Sequence, residues 1–188
     1  MIDTRDGKVY NTVQIGSQTW MAENLAYRTQ LSFVTHDSYI KTGIYCYNDD
    51  TSLIANYGLL YSWDVAIKSC PVGWHLPTKA EYDTLLSLVG PDIKIAYEHL
   101  KAGGDTGFEA TLGGDLSFTK SGLAHYGNIN TLGNFWTSTG KSNTLYFYYV
   151  SVNSWVKKCS LGICPKFYHK FPTYTFCMSV RCIKNSEK

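Results

Sequence analysis

The side chains that could carry chemistry in this sequence are cysteines, histidines and a group of aromatic residues near the C-terminus. The six cysteines are Cys46, Cys70, Cys159, Cys164, Cys177 and Cys182. An even number without paired Cys-x-x-Cys motifs favours disulfides over a zinc site, and therefore an oxidising compartment. Buried thiols are the alternative.

The polar residues give little support for catalysis. The histidines His36, His75, His99, His125 and His169 lack the His-x-His and His-Glu-x-x-His spacings of metal sites. No nucleophile lies in a recognisable turn motif, so no catalytic triad can be assigned. The run Asn48–Asp50 could offer oxygens to calcium, but calcium takes about six to eight of them. A turn is the favoured interpretation, and we expect no catalytic residue, metal or cofactor.

The aromatic residues favour ligand binding. Leu145–Val150 is aromatic on both faces of an expected strand, which is more than one buried face requires. Tyrosine and tryptophan give large contact areas at low entropic cost. The alternative is that they cover a sheet or pack on a long loop. The candidate ligand-binding residues are Tyr146, Tyr148, Trp155, Tyr168, His169 and Tyr174.

Length and composition set the class of protein. The 188 residues (21.2 kDa) fit a single domain, 1–188, and a hydrophobic content of 44% excludes wholesale disorder. Charged residues make up 17% and aromatic residues 15%, which is typical of a secreted or surface β-rich protein. The net charge of +2 gives no reason to expect nucleic acid or acidic lipid as a partner. The oligomeric state stays open.

Targeting signals are not evident. No stretch has the roughly 20 apolar residues of a membrane span, and the N-terminus has no signal-peptide core. Met1 could replace a removed signal, or it could be the true start of a protein that is not secreted by that route. We expect an extracellular or cell-surface location, or a phage particle.

The elements that must position these residues are strands, then helices, then strands again. Alternation around Gly16-Ser17 predicts an N-terminal hairpin. The segment after Gly104 is rich in glycine. Helices are predicted over Leu59–Cys70, from a capping box at Thr78/Glu81 to Gly90, and over Asp92–Lys101; strands are predicted at Leu31–Val34, Gly43–Tyr47, Leu145–Val152 and Phe176–Ile183. This layout predicts an α+β domain that ends in Gly-rich loops and an antiparallel sheet.

Seven segments together resemble one bacterial family, the Fibrobacter succinogenes major paralogous domain of surface and secreted proteins. In order along the chain they are Asp6–Tyr10, Thr12–Gly16, Trp20–Leu25, Tyr57–Tyr61, Cys70–Thr78, Phe135–Ser138 and Ser179–Cys182. The resemblance implies a C-type lectin-like fold, shared with formylglycine-generating enzymes. It also implies a disulfide between Cys70 and Cys182, and a structural hydrogen-bonding role for His75.

The sequence departs from the family pattern between Val152 and Phe176, where it carries the extra cysteines Cys159 and Cys164. Cys159 and Cys164 are close enough in sequence to staple a turn, which leaves Cys46 and Cys177 as a pair by elimination. The lectin-like resemblance places the ligand-facing surface in the C-terminal region, where some such domains are hypervariable targets of diversity-generating retroelements. The acidic-Pro-Asn and Trp-Asn-Asp motifs of calcium-dependent lectins are absent from the sequence.

The sequence is compatible with two functions. The favoured one is a non-catalytic module that binds a protein or glycan at a bacterial or phage surface. The alternative is a copper-dependent thiol oxidase, because Cys177–Cys182 resembles the Cys-x4-Cys of formylglycine-generating enzymes and thiolates select Cu(I). A continuous strand would send these two cysteines to opposite faces, which argues against that alternative.

Overall fold

The chain forms two β-sheets with its helices packed beside them. The computed structural model describes residues 1–34, 42–90, 92–119, 123–140, 146–165 and 174–186. The strands are β1 (Thr12–Ile15), β2 (Gln18–Met21), β3 (Ile44–Tyr45), β4 (Leu60–Ser62), β5 (Trp74–His75), β6 (Gly113–Thr119), β7 (Ala124–Ile129), β8 (Leu132–Gly140), β9 (Tyr146–Asn153), β10 (Lys158–Pro165), β11 (Tyr174–Ser179) and β12 (Ile183–Lys184). The helices are α1 (Ile54–Tyr57), α2 (Trp63–Ala66), α3 (Lys79–Val89) and α4 (Ile93–Leu100), and two 3₁₀ turns, Tyr47–Asp49 and Thr51–Leu53, precede α1. None of the helices in these ranges is both long and apolar enough to cross a membrane.

The smaller sheet has the order β1-β2-β12-β5. Its first two strands form the predicted hairpin, with Ile15 opposite Gln18 across a two-residue turn. Gly16 has φ +59°, and a Cβ there would lie 2.6 Å from Cδ1 of Leu88 on α3. The positive φ favours glycine in this turn, and a larger residue would also displace the tip of the exposed Leu88 side chain.

The larger sheet has the order β10-β9-β8-β6-β11-β4-β3, with β7 paired to β6. Most pairs are antiparallel, but β8 meets β6 and β11 in parallel through single residue pairs, Gly114–Gly133 and Phe135–Ser179. The α+β class is thus confirmed. The single antiparallel sheet that we expected is replaced by two sheets, one of them mixed.

The predicted C-terminal strand, Phe176–Ile183, is divided between the two sheets. Strand β11 ends at Ser179 in the larger sheet and β12 begins at Ile183 in the smaller one. The three residues between them are fully buried, and their main chain bonds the segment after β2: Leu25 N–H donates to Val180 O and Met21 N–H to Cys182 O. The crossing is fixed by contacts that are distant in sequence, so strand propensity alone missed it.

Two of the predicted helices are confirmed. The Thr78 hydroxyl accepts from Glu81 N–H, and the Glu81 carboxylate accepts from Thr78 N–H at 2.7 Å, which is the predicted capping box of α3. Gly90 ends α3, and Asp92 caps α4 through the N–H of Lys94.

The helix predicted over Leu59–Cys70 is wrong in its first half. Strand β4 begins at Leu60, and α2 adds a single turn. All three residues of β4 are buried, so the strand is covered on both faces, and a short buried run of this kind cannot be told from a buried helix by periodicity. Leu31–Val34 has no strand, and of Gly43–Tyr47 only Ile44–Tyr45 is one.

One disulfide joins the two halves of the chain. Cys70, after α2, is bonded to Cys182, before β12, and their Cα atoms are 5.9 Å apart. The pairing that the family resemblance implied is confirmed.

The other two expected pairings are not formed, because Cys46, Cys159 and Cys177 are buried thiols that carry no disulfide. Strand β4 separates Cys46, after β3, from Cys177 on β11, which places them roughly two strand spacings, about 9 Å, apart. Cys159 and Cys164 lie on one strand, five residues and so about 16 Å apart. Both separations exceed the Cα distance of about 7 Å that a disulfide can span.

Candidate binding site

The turn between β9 and β10 presents Trp155 to solvent. The side-chain carbonyl of Asn153 accepts the N–H groups of Trp155 (2.9 Å) and Val156 (3.1 Å), which is a short turn closed by asparagine. Lys157 completes the reversal with φ +49°. As a result Trp155 is 86% exposed and Val156 is 51% exposed.

This turn is anchored to the neighbouring turn between β7 and β8. Ser154 N–H donates to Thr131 O at 2.9 Å, and the Ser154 hydroxyl reaches the carbonyl of Asn130 at 3.2 Å. The two turns therefore form one rigid corner. Trp155 directly follows Ser154, the residue that contacts Asn130.

A groove of about 420 Å³ opens at this corner. It lies where the ends of α1 and α4 meet the β7–β8 turn and the segment before β6. The residues that give it its chemical character are Asn56, Tyr57, Tyr97, Lys101, Leu112 and Asn130. Its volume lies in the range of small-molecule sites, roughly 300–1,000 Å³.

Tyr57 and Asn130 fix one wall of the groove. Tyr57 is the last residue of α1, which Gly58 ends with φ +71°. The Tyr57 hydroxyl donates to the side-chain carbonyl of Asn130 at 2.8 Å, and Asn130 itself has φ +61°, a conformation that asparagine tolerates well. This bond orients the Asn130 amide so that its NH₂ group points away from Tyr57.

Tyr97 and Lys101 form the opposite wall, at the end of α4. Tyr97 lines the groove and is 7% exposed, and its hydroxyl has no hydrogen-bond partner within the described part of the chain. The Lys101 ammonium lies 5.9 Å from the Tyr97 ring centre and forms an ion pair with Glu98. That pair raises the pKa of Lys101 and lowers the pKa of Glu98, so both stay charged at neutral pH.

A buried arginine ties the Tyr57 wall and the segment before the groove floor to the core. Arg181 is 0% exposed, and its guanidinium donates to the carbonyls of Phe108 and Glu109, just before the groove floor, and to Asn24 Oδ1 at 2.7 Å. Asn24 in turn donates to the carbonyl of Tyr57 at 2.9 Å. Burial lowers the pKa of Arg181 to about 10, so it remains a cation at neutral pH.

The predicted ligand-binding residues do not converge on one place. Trp155 does not line the groove, but it follows Ser154, whose hydroxyl bonds the carbonyl of Asn130 at the groove's edge. Tyr146 begins β9 opposite Pro165, seven residues or about 23 Å from Asn153 at the other end of the strand. Tyr148 lies in the same strand opposite Ile163, and Tyr174 begins β11 opposite Thr119. For these three tyrosines the structure describes the main chain, and Tyr168 and His169 lie outside the described residues.

Sequence reasoning missed Tyr57, Tyr97, Lys101 and Asn130. Tyr57 and Asn130 are 73 residues apart, and no local pattern joins them. The weak signals were the asparagine-rich turn Asn128–Thr131 and the tyrosine that begins the segment Tyr57–Tyr61. Neither of these indicates a shared site.

Other polar residues serve the fold. His75 Nδ1 is 2.7 Å from Asn185 Oδ1 and its Nε2 is 2.8 Å from Glu81 Oε1, in line with the expected structural role. Asp49 accepts the Tyr126 hydroxyl at 2.7 Å, and Asp50 accepts from Ser52, so the Asn48–Asp50 run is a hydrogen-bonded turn. Within the described ranges, no group of three or more His, Cys, Asp or Glu side chains could hold a metal.

The two cysteines of the oxidase alternative are in different environments. Cys177 packs on β11 with Leu60 and Leu116 in the larger sheet. The sulfur of Cys182 is bonded to Cys70 beside the smaller sheet. The break in the predicted strand thus separates the residues that would have to act together.

Fold and site together define an α+β domain of two sheets with a disulfide between Cys70 and Cys182, an exposed tryptophan on one turn, and a groove of mixed polar and apolar lining at the neighbouring turn. The chain belongs to the Fibrobacter succinogenes major domain family, whose model matches residues 13–184. No curated protein and no solved structure matches the chain at a significant level.

Proposed function

We propose that this domain is a non-catalytic recognition module that binds a protein or glycan, with Trp155 as its anchor. The observation that carries the proposal is the 86% exposure of Trp155 on a turn fixed by side-chain hydrogen bonds. Tryptophan is highly buried on average, and it is enriched among the residues that dominate binding energy. Because the turn is already ordered, little conformational entropy is lost when a ligand covers the ring.

A C-type lectin-like fold and a location outside the cytoplasm belong to the same proposal. The disulfide between Cys70 and Cys182 supports both, because it joins the positions that the family resemblance implies and persists in oxidising compartments. The helices between an N-terminal hairpin and a C-terminal sheet are also in accord with that fold.

The experiment compares Trp155→Ala with Val72→Ala. Val72 is 96% exposed and lies in the turn after Cys70, so it controls for the loss of an exposed apolar side chain. The purified domain is screened on a glycan array and against a displayed peptide library. We expect Trp155→Ala to weaken binding by about thirtyfold or more, with a change in the free energy of unfolding below about 0.5 kcal/mol.

The proposal has two ways to fail. A large loss of stability in Trp155→Ala would mean that the ring is packed in solution. Equal binding of the hits by Trp155→Ala and the unaltered domain would mean that the anchor lies elsewhere.

A further inference from the structure

We infer that the groove beside Trp155 is a saccharide site, which makes a glycan the ligand of the module; this inference rests on the proposed function. The motivating feature is a set of hydrogen-bonding side chains on both walls of one small cavity. Asn56, Tyr57, Tyr97, Lys101 and Asn130 all line it. Saccharides present many hydroxyls, each of which both donates and accepts, on a ring with apolar C–H faces.

The groove holds polar groups with unused hydrogen-bonding capacity. Within the described ranges, the Asn56 amide and the Asn130 NH₂ group have no hydrogen-bond partner, and neither has the Tyr97 hydroxyl. Tyr97 is the most informative of these, because the residue is 7% exposed and lines the groove while its hydroxyl has no partner within the described ranges. A buried tyrosine normally finds a partner for its hydroxyl, so a ligand hydroxyl is a natural partner here.

The polar groups are held in place before any ligand arrives. The bond from the Tyr57 hydroxyl to Asn130 Oδ1 leaves the Asn130 NH₂ group to donate and the Tyr57 oxygen to accept. The carbonyl of Asn130 is held by Ser154, and the carbonyl of Tyr57 by Asn24. Preorganised groups bind a polar ligand without a further ordering cost.

Shape favours a saccharide over a protein. A stable protein interface covers about 800 Å² on each partner around an apolar centre. Here the apolar lining consists of small or recessed side chains, such as Ala102, Ala110 and Leu112, in a concavity of about 420 Å³. The half-buried Tyr57 ring, which lines the groove, offers a face on which a sugar ring can pack. The Lys101 ammonium makes the site suitable for neutral or acidic saccharides.

The test uses two substitutions in the groove and one matched control. Asn130→Asp retains the acceptor for Tyr57 and tolerates the left-handed backbone, but it replaces the NH₂ donor with a carboxylate. Tyr57→Phe removes one hydroxyl. Asn48→Asp is the control, because Asn48 is also an exposed asparagine with positive φ (+53°) and does not line the groove.

The probe is a glycan array of neutral and acidic saccharides, with titration calorimetry on the hits. We expect Asn130→Asp and Tyr57→Phe each to weaken saccharide binding by about tenfold, with Asn48→Asp unchanged. Thermal unfolding checks the fold, and Tyr57→Phe decides the outcome if Asn130→Asp fails to fold.

Each other outcome overturns the inference in a recognisable way. Saccharide binding that neither groove variant changes would place the sugar elsewhere. Binding of a displayed peptide that depends on Trp155, without any saccharide hit, would overturn the inference while leaving the proposed recognition function intact. Absence of any ligand on either platform would count against both.

Discussion

Loss of the Cys70–Cys182 disulfide should lower the free energy of unfolding of the domain by an amount that depends on the length of the loop it closes. The bond joins residues separated by 112 positions. In the chain-entropy model, closing a loop of this length restricts the unfolded chain by about 4–5 kcal/mol. Domains of this kind are stable by only about 5–15 kcal/mol. We therefore expect the Cys70→Ala/Cys182→Ala double variant to lose a large share of its stability, or to be partly unfolded at 37 °C.

The measurement is urea unfolding of the unaltered domain with and without reductant, alongside the double variant. The Cys159→Ala variant is the control, because Cys159 is equally buried but carries no disulfide. Reductant should lower the free energy of unfolding of this control by the same 4–5 kcal/mol or so, and it should have no effect on the double variant.

Two results would refute the reasoning. A loss below about 1 kcal/mol on reduction would show that the unfolded chain is not restricted as the entropy model requires. If peptide mapping finds both Cys177 and Cys182 alkylated, and protected by Cu(I), the Cys70–Cys182 disulfide is not formed in solution and the oxidase alternative is supported. A mapped Cys70–Cys182 bond would leave that site without one of its two thiolates.

Two further predictions concern the buried side chains of Arg181 and Cys159. Arg181→Met removes the buried donor while leaving the carbonyls of Phe108 and Glu109 unpaired, so the free energy of unfolding in urea should fall by about 3–5 kcal/mol; unchanged stability would contradict the network. Burial raises the pKa of Cys159 to about 12 from an ordinary 9, so above pH 9 the unfolded state releases a proton that the native state keeps, and stability falls as pH rises. Between pH 9 and 10 the Cys159→Ala variant should show a shallower decline, by up to about 1.4 kcal/mol per pH unit; an identical slope would mean that Cys159 is accessible.

The parts of the fold that could be predicted from sequence are those that local physics determines. The hairpin around Gly16 and the capping box of α3 each depend on residues within a few positions of one another. The disulfide was recovered from the family resemblance, which carries information that spacing alone lacks. Where the structure differs, in β4 and at the end of β11, the deciding partners are strands far away in sequence.

The candidate site could be predicted only in part, because the groove is lined by four separate segments and Trp155 comes from a fifth. Trp155 was among the candidates because it is an aromatic residue of the C-terminal region, but its exposure in a turn was not predicted. Tyr57, Tyr97 and Asn130 are ordinary residues in sequence, and only the packing of α1 and α4 against the β7–β8 turn brings them to one groove. The aromatic strand around Tyr146 and Tyr148 had the stronger sequence signal, yet its start lies at the opposite end of β9 from Trp155.

The core and the groove are linked through Arg181, a buried cation whose hydrogen bonds go to main-chain and amide oxygens, while the charges of Glu23 and Glu109 favour its protonated form. Its NH groups bond the main chain at Phe108 and Glu109, next to the groove floor, and reach the Tyr57 carbonyl through Asn24. The Tyr57 wall and the segment before the floor are therefore both held by one planar donor group. A hydrophobic residue could fill the same volume but could not set the spacing of two segments that are distant in sequence. The Arg181→Lys variant keeps the charge but loses the planar fork. We expect it to weaken ligand binding by more than the loss of folded protein, measured by thermal unfolding, can account for.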